Sequence, residues 1–376
     1  MRRGHFAAFA PHCPHCARTD AGRQVLVLAE VTAEQADEVI SGVLHCPNPA
    51  CQHEYPIIDG IPVIVPELRT LLTERGIELL LRDELDPVLE SMIGDAMGPG
   101  GWFDVLRQTV SSYAWDGWAD LDPAEGLGAD GPRIDRPMDA PVDGPAPGAV
   151  RRCLDRLLDM AGPIDGVARV LDVGCGAGRS AFRLAERQAG ALVLGVDLHL
   201  GLLRMAHGAL GGKVSYPRRR IGLVYDRRRF AVSMAGAERV DFWACDALAL
   251  PFAAGSADLV AALNVLDCVA EPRRLLAGFA EVLRADGRLL LASPYDWSVG
   301  ATPVETWIGG HSQRAAHRGA AEPFLRALVT EGAHPQSVGG LRVLAETAAW
   351  PWQTRLHERS TISYRSHLLA LARTAG

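Results

Sequence analysis

The chain has 376 residues, 48% of them hydrophobic and 22% charged, with a formal net charge of −7. That length supports one large domain and a smaller one, each with a core of its own. Apolar runs are broken by charge well short of the roughly 18 residues that a membrane-spanning helix needs, and the stretch after Arg2 and Arg3 holds about five apolar residues, against the roughly 7–15 of an export signal. The expected location is therefore cytoplasmic with free thiols, and the acidic balance offers no attractive field to a phosphate backbone.

Residues 1–66 combine strand-like runs, Gln24–Leu28 and Ile57–Val65, with turns and four of the eight cysteines. Cys13-Pro14-His15-Cys16 and Cys46-Pro47-Asn48-Pro49-Ala50-Cys51 set two thiol pairs on tight turns, the paired knuckles from which a tetrahedral zinc site is built. The expected ligands are Cys13, Cys16, Cys46 and Cys51, with His12, His15, His45 and His53 as polar neighbours. Four protein ligands leave no open position, so such a zinc ion is structural. Cys153, Cys175, Cys245 and Cys268 sit among apolar neighbours and read as small core residues.

A helical pattern runs from about Leu68 to Met97, inside a connector of residues 67–119. Residues 120–148 are rich in Pro, Gly and Asp without apolar periodicity, the composition of a loop or linker. In residues 149–376, Val150, Leu154, Leu157, Leu158 and Ala161 recur at helical spacing. Strands are then expected at Arg169–Val173, Leu192–Val196, Val240–Ala244, Leu259–Leu263 and Arg288–Ala292, alternating with helices, and Leu341–Thr347 and Ile362–Leu371 supply the last two. Alternation of this kind predicts an α/β fold with a doubly wound, mostly parallel sheet of seven strands, preceded by a small zinc ribbon.

Val170–Val173 leads directly into Gly174-Cys175-Gly176-Ala177-Gly178 and a helix, so the glycines occupy the turn where backbone approaches a ligand closely. Asp197 ends the next strand, nineteen residues beyond Gly178, where a carboxylate can bind ribose hydroxyls. Asp246 and Asn264 follow two further strands and line the same crevice. This order resembles the class I S-adenosylmethionine-dependent methyltransferases over residues 168–292. The resemblance implies S-adenosylmethionine as cofactor, with Asp172, Gly174, Cys175, Gly176 and Gly178 around its methionine part. By the same resemblance Asp197 holds the ribose, Asp246 faces the adenine amino group, and Leu198, Ala247 and Asn264 line the pocket.

Beyond the strand at Arg288–Ala292 come Ser293-Pro294-Tyr295-Asp296-Trp297 and Thr302-Pro303-Val304-Glu305-Thr306-Trp307-Ile308-Gly309-Gly310, at the crevice mouth. Together with Asn264-Val265-Leu266-Asp267, Lys213–Tyr225 and the region of Trp350–Arg359, this segment resembles the methyltransferase domain of ovothiol synthases, which methylates an imidazole nitrogen of a thiohistidine. The iron-dependent sulfur-inserting part of that family is absent, and a ribbon stands in its place. The resemblance implies a small-molecule or peptide acceptor bearing imidazole, with Asn264, Tyr295 and Glu305 as candidate catalytic groups. Trp297 and Trp307 are candidate walls, and Tyr113, on an aromatic-rich helix ahead of the core, is a candidate lid. Among the basic triplets 218–220 and 227–229, Arg219 and Arg228 are candidate clamps for an acceptor carboxylate, most of the six reading as a solvated loop, with contact to RNA phosphates as the third reading.

Tyr55-Pro56-Ile57-Ile58-Asp59-Gly60-Ile61-Pro62-Val63-Ile64-Val65-Pro66, after Cys51, resembles the small zinc-ribbon proteins that activate RNA and protein methyltransferases. A ribbon ahead of a methyltransferase also occurs in rRNA guanine methyltransferases. The ribbon is thus a substrate clamp, a fold stabiliser or a docking surface for a partner protein. Competing functions are an rRNA or tRNA base methyltransferase, which the acidic balance disfavours, a thiol S-methyltransferase, and a non-catalytic cofactor-binding subunit.

Overall fold

In a computed structural model of the chain, residues 1–19, 22–80, 85–125 and 146–374 are described. The elements in order are α1 (Arg3–Phe9), β1 (Val27–Gln35), β2 (Glu38–His45), β3 (Glu54–Ile58), β4 (Ile61–Ile64), α2 (Leu68–Leu80), α3 (Pro87–Met97), α4 (Trp102–Trp118), α5 (Ala149–Ala161), β5 (Arg169–Val173), α6 (Arg179–Arg187), β6 (Leu192–Asp197) and α7 (Leu200–Leu210). They continue with β7 (Lys213–Ile221), β8 (Val224–Ala231), β9 (Val240–Cys245), β10 (Ala257–Leu263), α8 (Pro272–Val282), β11 (Leu283–Ser293), α9 (Ala321–Leu328), β12 (Leu341–His357) and β13 (Ser360–Arg373). None of the described helices is long and apolar enough to cross a membrane.

Strands β5, β6, β9 and β10 are buried almost throughout. Helices cover both faces of a parallel sheet, so its strands are near-continuous apolar runs rather than alternating ones. Along β5 the period-2 geometry sends Val170 into a core with α5, α6 and α7, and Leu171 and Val173 into the opposite core with α8. In α5, Cys153, Leu154, Leu157, Leu158 and Ala161 form the buried stripe, the spacing of one helix face.

The sheet corrects the expectation of seven strands. Its order is β1-β2-β3-β4-β9-β6-β5-β10-β11-β13-β12, eleven strands among the described residues, with β7 and β8 forming a separate hairpin. The seven expected strands are present, and β13 runs antiparallel between β11 and β12. The other four come from the first 66 residues: β4 pairs in parallel with the edge of β9, Val63 opposite Ala244 and Ile64 opposite Cys245. All four residues of β4 are buried, because Ile61-Pro62-Val63-Ile64 lies between two neighbours instead of at an edge. Phe9 of α1 meets Trp243 and Phe252 at ring-centroid distances of 6.3 and 5.8 Å, so the N-terminal core merges with that of the main sheet.

The hairpin β7–β8 carries both arginine triplets, and it is not a solvated loop. Arg218 pairs with Asp226 at 2.8 Å, Arg220 with Glu358 at 2.8 Å, and Arg227 with Glu90 at 2.7 Å. The first pair ties β7 to β8, and the other two fasten the hairpin to the tip between β12 and β13 and to α3. Residues 126–145 of the expected linker lie outside the described residues.

Candidate active site and cysteine cluster

The glycine turn sits where the strand order reverses, at the carboxyl ends of β5 and β10, the crevice in which doubly wound sheets bind ligands. Gly174, at φ +70°, donates its N–H to the Val196 carbonyl at 2.8 Å; a Cβ there would lie 2.2 Å from Cγ2 of Val265. Gly178, at φ +82°, caps the start of α6 in a space closed by Ala206 and Phe242. Both positions therefore demand glycine on conformational and steric grounds. Asp197 is held by two backbone donors, Gly176 N–H to Oδ2 at 2.9 Å and His199 N–H to Oδ1 at 2.8 Å. Asp246 accepts the Leu248 N–H at 2.8 Å.

Two adjoining cavities open here. The smaller, about 250 Å³, is lined by Asp197, Leu198, Asp246 and Ala247. The larger, about 440 Å³, is lined by Cys175, Gly176, Asp267, Asp296, Trp352 and Tyr364, among others. Thr109, Tyr113, Gly174, Leu263, Asn264 and Cys268 line both, so the two are parts of one crevice that narrows at Tyr113. Half of the Tyr113 surface is accessible because it faces these cavities. Asn264 follows β10 at φ +56°, and its Oδ1 is buried without a hydrogen-bond partner among the described residues. Such an orphaned acceptor, beside a glycine cradle and two strand-end carboxylates, fits a nucleoside ligand with an amino-acid arm.

Of the residues expected around the cofactor, Gly174, Cys175, Gly176, Asp197, Leu198, Asp246, Ala247 and Asn264 line the crevice. Gly178 and Asp172 do not. Asp172 lies beneath the turn, accepts the Ser180 hydroxyl at 2.5 Å, and is pushed up to about 7 by burial. Burial also pushes Asp267 up to about 6; Cys268, expected as a small core residue, is instead exposed at the crevice, where partial desolvation pushes its thiol up to about 12.

The acceptor side departs from expectation. Tyr295, Trp297, Glu305 and Trp307 line neither cavity. The Tyr295 hydroxyl donates to His367 Nδ1 at 2.5 Å, and His367 Nε2 contacts Glu346 at 2.9 Å. Trp297 stacks on Trp307 at 5.9 Å, and Glu305 is exposed. Pro294, Asp296 and Ser298 face the cavity instead. Beyond Ser293 the chain is no longer strand, and Tyr295 sits at φ +57°, so the backbone turns there and the aromatic side chains face away from the crevice. Arg219 and Arg228 are likewise outside: Arg219 Nε donates to the Gly222 carbonyl at 2.9 Å, and Arg228 forms a two-pronged pair with Asp122 at 2.6 and 2.8 Å.

Sequence reasoning missed the wall supplied by the tip of β12–β13, where Trp352, Thr354, Leu356, Ile362 and Tyr364 line the larger cavity. The Tyr364 hydroxyl donates to Asp296 at 2.8 Å, and Ser112 of α4 donates to the Arg355 carbonyl at 2.9 Å. Alternating residues in Trp352-Gln353-Thr354-Arg355-Leu356 were the available signal.

Residues 171–291 match the methyltransferase domain family. These residues form a class I S-adenosylmethionine-dependent methyltransferase domain. The methyltransferase domain has curated relatives of varied chemistry: a nocamycin O-methyltransferase of Saccharothrix syringae is 30% identical over 211 residues, covering 54% of this chain and 66% of that protein. A demethylmenaquinone methyltransferase of Renibacterium salmoninarum is 34% identical over 142 residues, covering 38% of this chain and 47% of that protein. A malonyl-[acyl-carrier protein] O-methyltransferase of Laribacter hongkongensis is 30% identical over 212 residues, covering 49% of this chain and 66% of that protein. The chain thus spans between 47 and 66% of the length of these relatives.

Against the outer edge of the methyltransferase domain, Cys13, Cys16, Cys46 and Cys51 converge, their sulfur atoms all within 4.8 Å of one another. A tetrahedron with metal–sulfur bonds of about 2.3 Å has sulfur–sulfur edges of about 3.8 Å. Cys13 and Cys51 are 3.8 Å apart and Cys16 and Cys46 3.7 Å, so the donor set fits a tetrahedral thiophilic ion. The Cys16 N–H and the Asn48 side-chain amide point at sulfur, each at 3.5 Å, which is how thiolate charge is held. His15 and His53 stack on each other at 4.0 Å beside Cys51.

Proposed function

We propose that the protein transfers a methyl group from S-adenosylmethionine to an imidazole nitrogen of a histidine or thiohistidine, free or in a peptide. The observation that carries the reading is the Asp296–Tyr364 pair in the larger cavity, next to the crevice in which Asp197 and Asp246 would hold the adenosine half of the cofactor. When bound, the cofactor supplies an electrophilic methyl group on a sulfonium.

A neutral imidazole needs no strong base to attack it, only the correct tautomer. In this reading Asp296 accepts the N–H of one ring nitrogen and leaves the lone pair of the other free, while the Tyr364 hydroxyl fixes the carboxylate. Asp296 thereby takes the positioning role first sought in Tyr295 and Glu305. Trp352 and Tyr113 keep water from the acceptor, so that barrier reduction comes chiefly from orientation in a dry pocket. The likeness of this region to ovothiol synthase methyltransferase domains supports the choice of acceptor. The arginines that an RNA substrate would need are engaged in part with Asp226, Glu90, Asp122 and Glu358, which favours the small acceptor over RNA.

The four cysteines are proposed to hold one structural zinc ion. A mass-spectrometric screen of purified protein with isotopically labelled cofactor tests the catalytic reading against histidine, thiohistidines, histidine-containing peptides and rRNA. The expected product is an imidazole carrying one labelled methyl group. Label found only in RNA, or only on a thiol, would overturn the assignment of the acceptor.

A further inference from the structure

Among the described residues that line the larger cavity, Arg179 is the only basic one, and the acids are Asp116, Asp267 and Asp296. It opens α6, immediately after the glycine turn, and is 7% exposed. One arm of the guanidinium is accounted for: Nη2 donates to Asp120 at 3.0 Å. Its carbon lies 5.2 Å from the centroid of the Trp118 ring, and Trp118 is itself fixed by donating Nε1–H to the Ala177 carbonyl at 2.9 Å. The other arm, Nη1, is buried without a partner among the described residues.

An unpaired guanidinium nitrogen in a buried position is costly unless a ligand satisfies it. Among the described residues Asp120 is the only carboxylate paired with it, which leaves donor capacity on the fork of a group that suits planar carboxylates. The first-turn amides of a helix of nine residues add positive potential at the same place. No neutral group satisfies both features as well as a second carboxylate does.

We infer that Arg179, seated on Trp118 and half-neutralised by Asp120, is a carboxylate-binding subsite of the larger cavity, taking the α-carboxylate of an amino-acid moiety. Two moieties have that chemistry: the methionine arm of the cofactor and an amino-acid acceptor. The inference rests on the reading that the crevice binds S-adenosylmethionine.

Calorimetry on the full chain separates these possibilities, with S-adenosylhomocysteine and 5′-methylthioadenosine as probes that share the adenosyl thioether and differ in the amino-acid arm. If Arg179 takes the cofactor carboxylate, wild-type protein binds the homocysteine compound more tightly, and Arg179→Met reduces that affinity by about tenfold or more while leaving methylthioadenosine unchanged. If it takes the acceptor carboxylate, Arg179→Met leaves both adenosyl probes unchanged. It then lowers histidine binding to the homocysteine-loaded protein by about tenfold, with histidinamide unaffected.

Wild-type protein alone decides the matter if the Met variant fails to fold: no preference for S-adenosylhomocysteine over methylthioadenosine and none for histidine over histidinamide overturns the subsite. Equal loss of both adenosyl probes in Arg179→Met, with Arg179→Lys behaving identically, also overturns it, since the residue would then be a structural support. Failure of the wild type to bind either adenosyl probe sinks the underlying methyltransferase reading instead.

Discussion

Asn264 holds two unfavourable states at once, a left-handed backbone at φ +56° and a buried side-chain oxygen with no partner. A buried unsatisfied acceptor costs about 1–3 kcal/mol, so the free protein carries a local penalty that a ligand donor would relieve. Glycine adopts this backbone without strain and removes the orphaned acceptor, and Asn264→Gly is therefore expected to keep or raise the melting temperature while weakening S-adenosylhomocysteine binding about tenfold by calorimetry. Asp116 makes a different prediction. It accepts the Ala149 N–H at 2.6 Å where the chain enters α5, and burial pushes it up to about 7. A carboxyl with a raised folded-state value favours the folded protein below its ordinary value of about 3.9, and loses that contribution as pH climbs through 7. The span corresponds to something on the order of 4 kcal/mol. Urea unfolding at pH 4, 5.5 and 7.5 should show wild type losing stability relative to Asp116→Asn across that window; parallel curves for the two proteins would contradict the assignment.

At the scale of elements, much of the central sheet was readable because its strands are buried on both faces. The expected runs at Arg169–Val173, Leu192–Val196 and Val240–Ala244 match β5, β6 and β9 to within a residue at either end. Strands with one wet face were harder. β1 is exposed along nearly its whole length, and β2 went unread. The outer ends of β12 and β13 carry half-exposed, mixed-polarity residues held by α4 and the β7–β8 hairpin, a tertiary support that periodicity does not reveal. On the acceptor side, Tyr295 and Trp297 lie outside the crevice and Asp296 inside it, because the chain turns at Tyr295, φ +57°, just beyond β11, a local conformation that periodicity does not reveal. Tyr364, on β13, tests the role of this hairpin as a wall. Tyr364→Phe removes the donor to Asp296 and should lower kcat about tenfold with S-adenosylhomocysteine affinity unchanged. A drop in cofactor affinity alone would remove Asp296 and Tyr364 from the acceptor side.

The whole molecule is tied together by the continuation of one sheet through both its parts. The Arg2 N–H donates to Asp241 at 2.9 Å, the His12 N–H to the Pro251 carbonyl at 2.7 Å, and Arg23 bonds Glu281 and the Phe252 carbonyl. With so many links, the cysteine cluster should not unfold by itself. Elemental analysis is expected to find one zinc per chain, and a strong chelator should lower the temperature of a single unfolding transition instead of splitting it in two, as scanning calorimetry would register. Two separated transitions would mean that the N-terminal part folds independently of the sheet. The pairing of β4 with β9 has one more consequence, in colloidal behaviour. β9 is buried along all six residues, and without β4 its backbone donors and acceptors would form an unguarded edge beside a bare apolar face. The sheet instead ends at β1, where exposed Glu30 and the Arg3–Glu34 ion pair put charged side chains along the edge and disfavour addition of a strand from a second molecule. A catalytic half expressed from residue 67 onward should therefore precipitate or associate, visible as light scattering at concentrations where the full chain stays clear.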